Sequence, residues 1–113
     1  MKILRTRRYL RDVKQLRLTS AEAALIESAI IDNPTVGDVI PGLRGLRKMQ
    51  FAMANKGKRG GGRAVYFLMV SDGAAIMMFA YAKSVKEDLY EEERRYALAV
   101  MEKWKNDQAE EDD

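Results

Sequence analysis

Between Arg5 and Leu16, the apolar residues Tyr9, Leu10, Val13 and Leu16 recur at helical spacing, while Arg5, Arg7, Arg8, Arg11, Lys14 and Arg17 fill the remaining circumference. The pattern predicts a short amphipathic helix with a basic outer face. Thr19 and Glu22 have capping-box spacing, so a second helix is expected to run to about Asp32, bury Leu25, Ile26, Ala29 and Ile30, and stop at Asn33-Pro34. The short link between the two helices favours an antiparallel hairpin. Residues 35–45 are rich in glycine and read as an irregular connection. The period then changes from helical to alternating. Met49, Phe51 and Met53 alternate with Lys48, Gln50 and Ala52 over residues 46–54, which predicts a strand with one buried and one presented face. Residues 63–71 are apolar on both faces and fit a central strand, Ser71-Asp72-Gly73 fits a hairpin turn, and residues 74–83 return as a third strand. Ser84 and Glu87 match a further capping box, opening a helix to about Trp104 with Leu89, Tyr96, Ala97, Val100, Met101 and Trp104 along its apolar stripe. This order defines an α+β domain: two N-terminal helices, an antiparallel sheet of three or four strands and a C-terminal helix, with the helices expected on one face of the sheet.

At 113 residues the chain is expected to be a single domain over 1–113, with 106–113 a frayed acidic tail. No run of 18 apolar residues is present to span a membrane, and no apolar stretch follows the basic N-terminus to make a secretory signal. A cytoplasmic protein is the expectation. With neither cysteine nor histidine, the sequence excludes disulfides, zinc–thiolate sites, cysteine nucleophiles and imidazole bases. Acid–base chemistry therefore falls to Lys, Tyr, Asp or Glu. The formal charge is only +3, but it is unevenly spread: residues 1–17 and 44–66 hold seven cations each, against one anion and none, whereas residues 87–113 hold eleven anions and four cations. One surface suited to a polyanion follows from that segregation.

The stretch 55–63, NKGKRGGGR, concentrates the charge. It lacks the spacing of a phosphate-binding loop, and a strand follows it where such a loop would precede a helix. Its neighbours give it meaning. Lys48 and Gln50 share one strand face, Tyr81 and Lys83 share another, and Arg63 opens the strand between them. With strands paired in order, these side chains would converge on one polar face beside the loop cations Lys56, Lys58 and Arg59. Cations with a tyrosine and no carboxylate suit a phosphodiester. Such a group could cleave RNA: Lys48 or Tyr81 takes the ribose 2′-hydroxyl proton, arginine stabilises charge on phosphorus, and an acid protonates the leaving 5′-oxygen.

The segments GDVIPGLRGLRKMQFA, GKRGGGRAVYF and FAYAKSVKEDL, in this order and spacing, resemble the RelE/HigB-like toxins of bacterial type II toxin–antitoxin modules, within the RelE/ParE superfamily. The resemblance covers roughly residues 5–105. It implies an endoribonuclease that enters the ribosomal A site and cuts messenger RNA without metal or cofactor. It also implies a cognate antitoxin, a helix-turn-helix protein encoded by a neighbouring gene. The family's site maps onto Lys48, Gln50, Arg63, Tyr81 and Lys83, with Gln50 standing where arginine is usual. Arg47, Lys56, Lys58 and Arg59 are assigned to contacts with RNA or the ribosome. Two roles fit the basic first helix: a second ribosomal RNA contact, or a dock for an acidic antitoxin segment. Two other functions compete: a ParE-like inhibitor of DNA gyrase, and a non-catalytic RNA-binding module.

Overall fold

The computed structural model describes residues 1–53 and 61–112. The chain opens with a strand, where the periodicity predicts only a helix: β1 (Lys2–Arg5) pairs in parallel with a strand far along the sequence, and α1 (Arg7–Gln15) follows. Thr6 makes the change of direction. Its extended backbone ends β1, and its hydroxyl accepts the Tyr9 N–H at 3.1 Å while donating to the Met77 carbonyl at 3.0 Å. A cap of this kind contributes about 1 kcal/mol. α2 (Ser20–Asp32) begins on the Thr19–Glu22 capping box and ends at Asn33, as the sequence predicts. Ile26 and Ile30 are buried on its inner side, but Leu25 is 71% exposed and does not join them.

Three strands then form the body of the sheet: β3 (Arg47–Phe51), β4 (Gly62–Met69) and β5 (Ala74–Ala82). A short edge strand, β2 (Asp38–Val39), pairs with β3 and completes the order β1-β5-β4-β3-β2. The sheet therefore has five strands and is mixed, antiparallel except for β1 with β5. Between β4 and β5, a single turn of 3₁₀ helix at Val70–Asp72 ends on Gly73 at φ 60°, a left-handed conformation that glycine adopts without strain. α3 (Glu91–Asp112) closes the fold. It starts later than the Ser84–Glu87 box predicts and continues past Trp104. Its opening turn is held by Glu93, whose carboxylate accepts the Tyr90 N–H at 2.9 Å while the Tyr90 carbonyl accepts from the Arg94 N–H.

The helices cover both faces of the sheet, not one. On one side, Tyr9, Ile26 and Ile30 pack with Met49, Ala64, Tyr66, Ala75, Met77 and Ala80. On the other, Leu89, Ala97 and Met101 pack with Val65, Phe67, Ile76, Phe79 and Tyr81. A strand buried on both sides needs apolar residues at every position, and β5 is buried from Ala74 to Ala82.

One irregularity in β5 decides what the sheet presents. Opposite β4, Val65 pairs with Phe79 and Tyr66 with Met77, so Met78 is an extra residue and forms a β-bulge. Odd-numbered Ala75 and Met77 face the α1–α2 layer, but past the bulge Phe79 and Tyr81 face the α3 layer. Here β5 has run beyond β1, and Asp12 of α1 takes over the open edge. Its buried carboxylate accepts the Ala80 N–H at 3.0 Å, a hydrogen bond worth about 1.5–3 kcal/mol because the acceptor is ionised.

Candidate functional site

Strand register brings four of the sequence-predicted residues together. Gln50, Arg63 and Tyr81 are direct cross-strand partners on β3, β4 and β5, and Lys48 lies in the adjacent row with Val65 and Phe79. Val65, Phe79 and Tyr81 belong to the α3 layer, so all four share that face. With strands about 4.8 Å apart, the row from Gln50 to Tyr81 spans about 10 Å. Tyr81 joins the row because of the Met78 bulge; without it the phenol would project into the α1–α2 layer.

The side chains are held differently. Arg63 is buried, with its Nη1 donating to the Gly62 carbonyl at 3.0 Å. Gln50 is exposed. Lys48 Nζ donates to Asp88 Oδ1 at 3.1 Å and to the Glu87 carbonyl at 3.4 Å, and the Tyr81 hydroxyl donates to that same carbonyl at 3.1 Å. The segment between β5 and α3 thus crosses the site and brings acids to it. This corrects the carboxylate-free cluster expected from the sequence: β3 sees only cations among its sequence neighbours, but Asp88 is folded onto it from 40 residues away. Burial, followed by the nearby Asp88 carboxylate, pushes the Tyr81 phenol up to about 12, against a downward pull from Arg63.

Beside Tyr81 stands a compact ionic network that sequence pattern does not reveal. Lys86 Nζ lies 4.8 Å from the Tyr81 ring centroid and 4.3 Å from that of Tyr90, within cation–π range. The same Nζ contacts Glu93 at 2.6 Å, Glu93 bonds Arg8 at 2.6 Å, and Arg8 bonds Asp12 at 2.9 Å. Arg8 also lies 5.1 Å over the Phe79 ring. Burial disfavours the Glu93 carboxylate, yet hydrogen bonds from Lys86 and the Tyr90 amide, with the charges of Lys86 and Arg8, outweigh it and hold the carboxyl below its ordinary range. Lys86 is thereby fixed over the Tyr81 ring and Arg8 over that of Phe79.

The other candidates fall elsewhere. Arg47 pairs with Tyr66 on the opposite face and donates to the Gly37 carbonyl at 2.8 Å, where it braces the β2 edge. Lys83 lies past the end of β5 in a turn; its N–H donates to the Gly61 carbonyl at 3.0 Å and its side chain is exposed. Lys56, Lys58 and Arg59 lie outside the described residues. Among the described residues, no group of three or more Asp and Glu side chains is placed to hold a metal ion. No helix there is long and apolar enough to cross a membrane.

The order of strands, the helices flanking both faces and the C-terminal helix are those of the RelE-like toxin fold. A solved structure of the E. coli toxin RelE, a double arginine-to-alanine mutant in the free state, aligns with TM-score 0.52 over 76% of this chain and 86% of that one, at 14% sequence identity. At that identity the likeness establishes the fold. No protein-family model matches the chain.

Proposed function

We propose that this chain is the toxin of a type II toxin–antitoxin module, a metal-free endoribonuclease that cuts messenger RNA on the ribosome and is restrained by a helix-turn-helix antitoxin. The observation that carries the reading is the single row of Gln50, Arg63 and Tyr81, flanked by Lys48, on one face of a RelE-like sheet. Arg63 and Gln50 bind the scissile phosphate, and Arg63 offsets charge as it develops on phosphorus. Lys48, reacting as the neutral amine once its ion pair with Asp88 is broken, accepts the 2′-hydroxyl proton as the 2′-oxygen attacks phosphorus. Tyr81, held near 12, keeps its proton at neutral pH and donates it to the departing 5′-oxygen, leaving a 2′,3′-cyclic phosphate. RNA entering this site displaces the Asp88 carboxylate from Lys48 and the Glu87 carbonyl from the Tyr81 hydroxyl.

The test is induction in cells, with and without the neighbouring antitoxin gene, while transcript ends are mapped. New codon-registered cuts and growth arrest, both suppressed by the antitoxin, are expected. Lys48→Ala and Arg63→Ala should each lower cutting about 100-fold or more, with Arg63→Lys included because Arg63 is buried. Intact transcripts in arrested cells carrying DNA damage would favour gyrase inhibition, and undiminished cutting by Lys48→Ala would refute the assigned site.

A further inference from the structure

A groove of about 430 Å³ runs between α1 and the start of α3, lined by Arg7, Arg8, Arg11, Glu92, Glu93 and Tyr96. Its chemistry is separate from the row just described but contiguous with it. Phe79 stands two residues before Tyr81 on the same face, about 6.6 Å along the strand, and carries Arg8 over its ring and Tyr96 edge-on at 5.8 Å. Lys86, between the Tyr81 and Tyr90 rings, shares Glu93 with Arg8. One continuous wall of aromatic rings and cations therefore leads from the candidate site into the groove.

The groove contains unspent charge. Arg7 and Arg11 are one helical turn apart on the same side of α1, both exposed, and neither bonds a described residue. Arg8, between them, is committed to Asp12 and Glu93, so the buried carboxylate on the groove floor is already neutralised. Tyr96 is 40% exposed beside them. Two free guanidinium groups near a half-exposed aromatic ring form a backbone clamp with a stacking platform, the combination that binds single-stranded nucleic acid without reading its sequence. An acidic peptide would use the arginines but would gain nothing from the ring or from continuity with Tyr81.

From this arrangement, and resting on the ribonuclease reading above, we infer that the Arg7–Arg11–Tyr96 groove is a subsite for the RNA strand flanking the cleaved bond. Arg7 and Arg11 hold two successive phosphates, and a base stacks on Tyr96. Glu92, an exposed residue of the lining, keeps the backbone on the α1 side.

The experiment measures binding of a fluorescent 2′-O-methyl oligouridylate of about 12 nucleotides, long enough to span both sites and lacking the attacking hydroxyl, across a range of salt concentrations. Circular dichroism confirms that each variant is folded. Losing two phosphate contacts, Arg7→Ala/Arg11→Ala should flatten the plot of log K against log[salt] by about 1.4. Tyr96→Leu should weaken binding about tenfold at unchanged slope, and Tyr96→Phe should retain it. An unchanged slope in the arginine variant overturns the inference, all the more if that variant loses affinity for a polyglutamate probe, which would make the groove a protein dock. If the wild-type chain binds no oligouridylate, this inference fails, while the ribonuclease reading stands or falls on the transcript ends. If the slope falls as expected but transcripts in cells remain uncut, the subsite stands and the ribonuclease reading alone is lost.

Discussion

Tyr9 is among the most buried side chains of the α1–α2 layer, and its hydroxyl has no hydrogen-bond partner among the described residues. Burial, with the Glu27 carboxylate second, pushes that phenol up to about 12. A buried hydroxyl without a partner costs about 1–3 kcal/mol of desolvation. Tyr9→Phe removes the oxygen and keeps the ring, so urea unfolding should show stability unchanged or raised by about 1 kcal/mol; a loss of that size would reveal a partner for the hydroxyl. Tyr66 contrasts with it: its hydroxyl donates to the Pro34 carbonyl at 2.7 Å and accepts the Gly37 N–H at 3.0 Å, tying the β2 edge to the core. Glu93 links stability to acid. Its depressed carboxyl contributes stability in full above the unfolded value, near 4.5, and loses it as pH falls through the lower folded value. Stability measured between pH 7 and 3 should therefore fall more steeply in the wild type than in Glu93→Gln, and parallel curves would refute the linkage.

Elements differ in how much of their placement is written locally. The Thr19–Glu22 box gave α2 correctly, and the apolar runs gave β4 and β5, because capping and double-faced burial are short-range signals. Ser84 and Glu87 have the same box spacing, yet the chain there makes turns, since the Glu87 carbonyl and Asp88 carboxylate bond Tyr81 and Lys48 across the sheet. Gly61 and Gly62 also look like turn residues beside the loop cations. Neither has positive φ; a Cβ on Gly61 would lie 2.6 Å from the Phe51 carbonyl oxygen, and one on Gly62 would strike the Phe51 ring. They are glycines because β3 approaches too closely for a side chain. Gly61→Ala should cost about 1–3 kcal/mol, read from thermal unfolding, by pushing β3 away and separating Gln50 from Arg63. A neutral effect would mean that the strand pair yields easily. The convergence of Lys48, Gln50, Arg63 and Tyr81 was legible from alternation alone, up to the bulge. The Met78 insertion, which aims Tyr81, has no local signature, and Asp12, which supports the strand there by accepting from the Ala80 N–H, is 68 residues from Ala80.

At the scale of the molecule, the division of helices between two faces places opposite demands on the sheet. One face is an almost wholly apolar layer beneath α1 and α2; the other is apolar beneath α3 and polar at its far end, where the candidate row lies. The basic segment 1–17 reaches the candidate row through the Arg8–Glu93–Lys86 network, which joins α1 to the Tyr81 side of the sheet. The charge blocks were visible in the sequence, but where the first of them lies depends on which edge of the sheet α1 occupies, and that depends on β1.

The parallel pairing of β1 with β5 also sets an order of events. Lys2 meets Ala74 and Arg5 meets Met77, so β1 is synthesised well before the strand it pairs with. Closing a loop of that length costs about 4 kcal/mol of chain entropy, which the meander of β3, β4 and β5 does not have to meet. The meander is expected to form first and β1 to dock afterwards. Ile3→Ala should then speed unfolding while leaving the folding rate nearly unchanged, and a matching drop in folding rate would place β1 in the nucleus instead. Because Thr6 and Asp12 follow β1 onto the β5 edge, the row containing Tyr81 acquires its final shape with the last strand to dock, and a nascent chain lacking that step has no completed site.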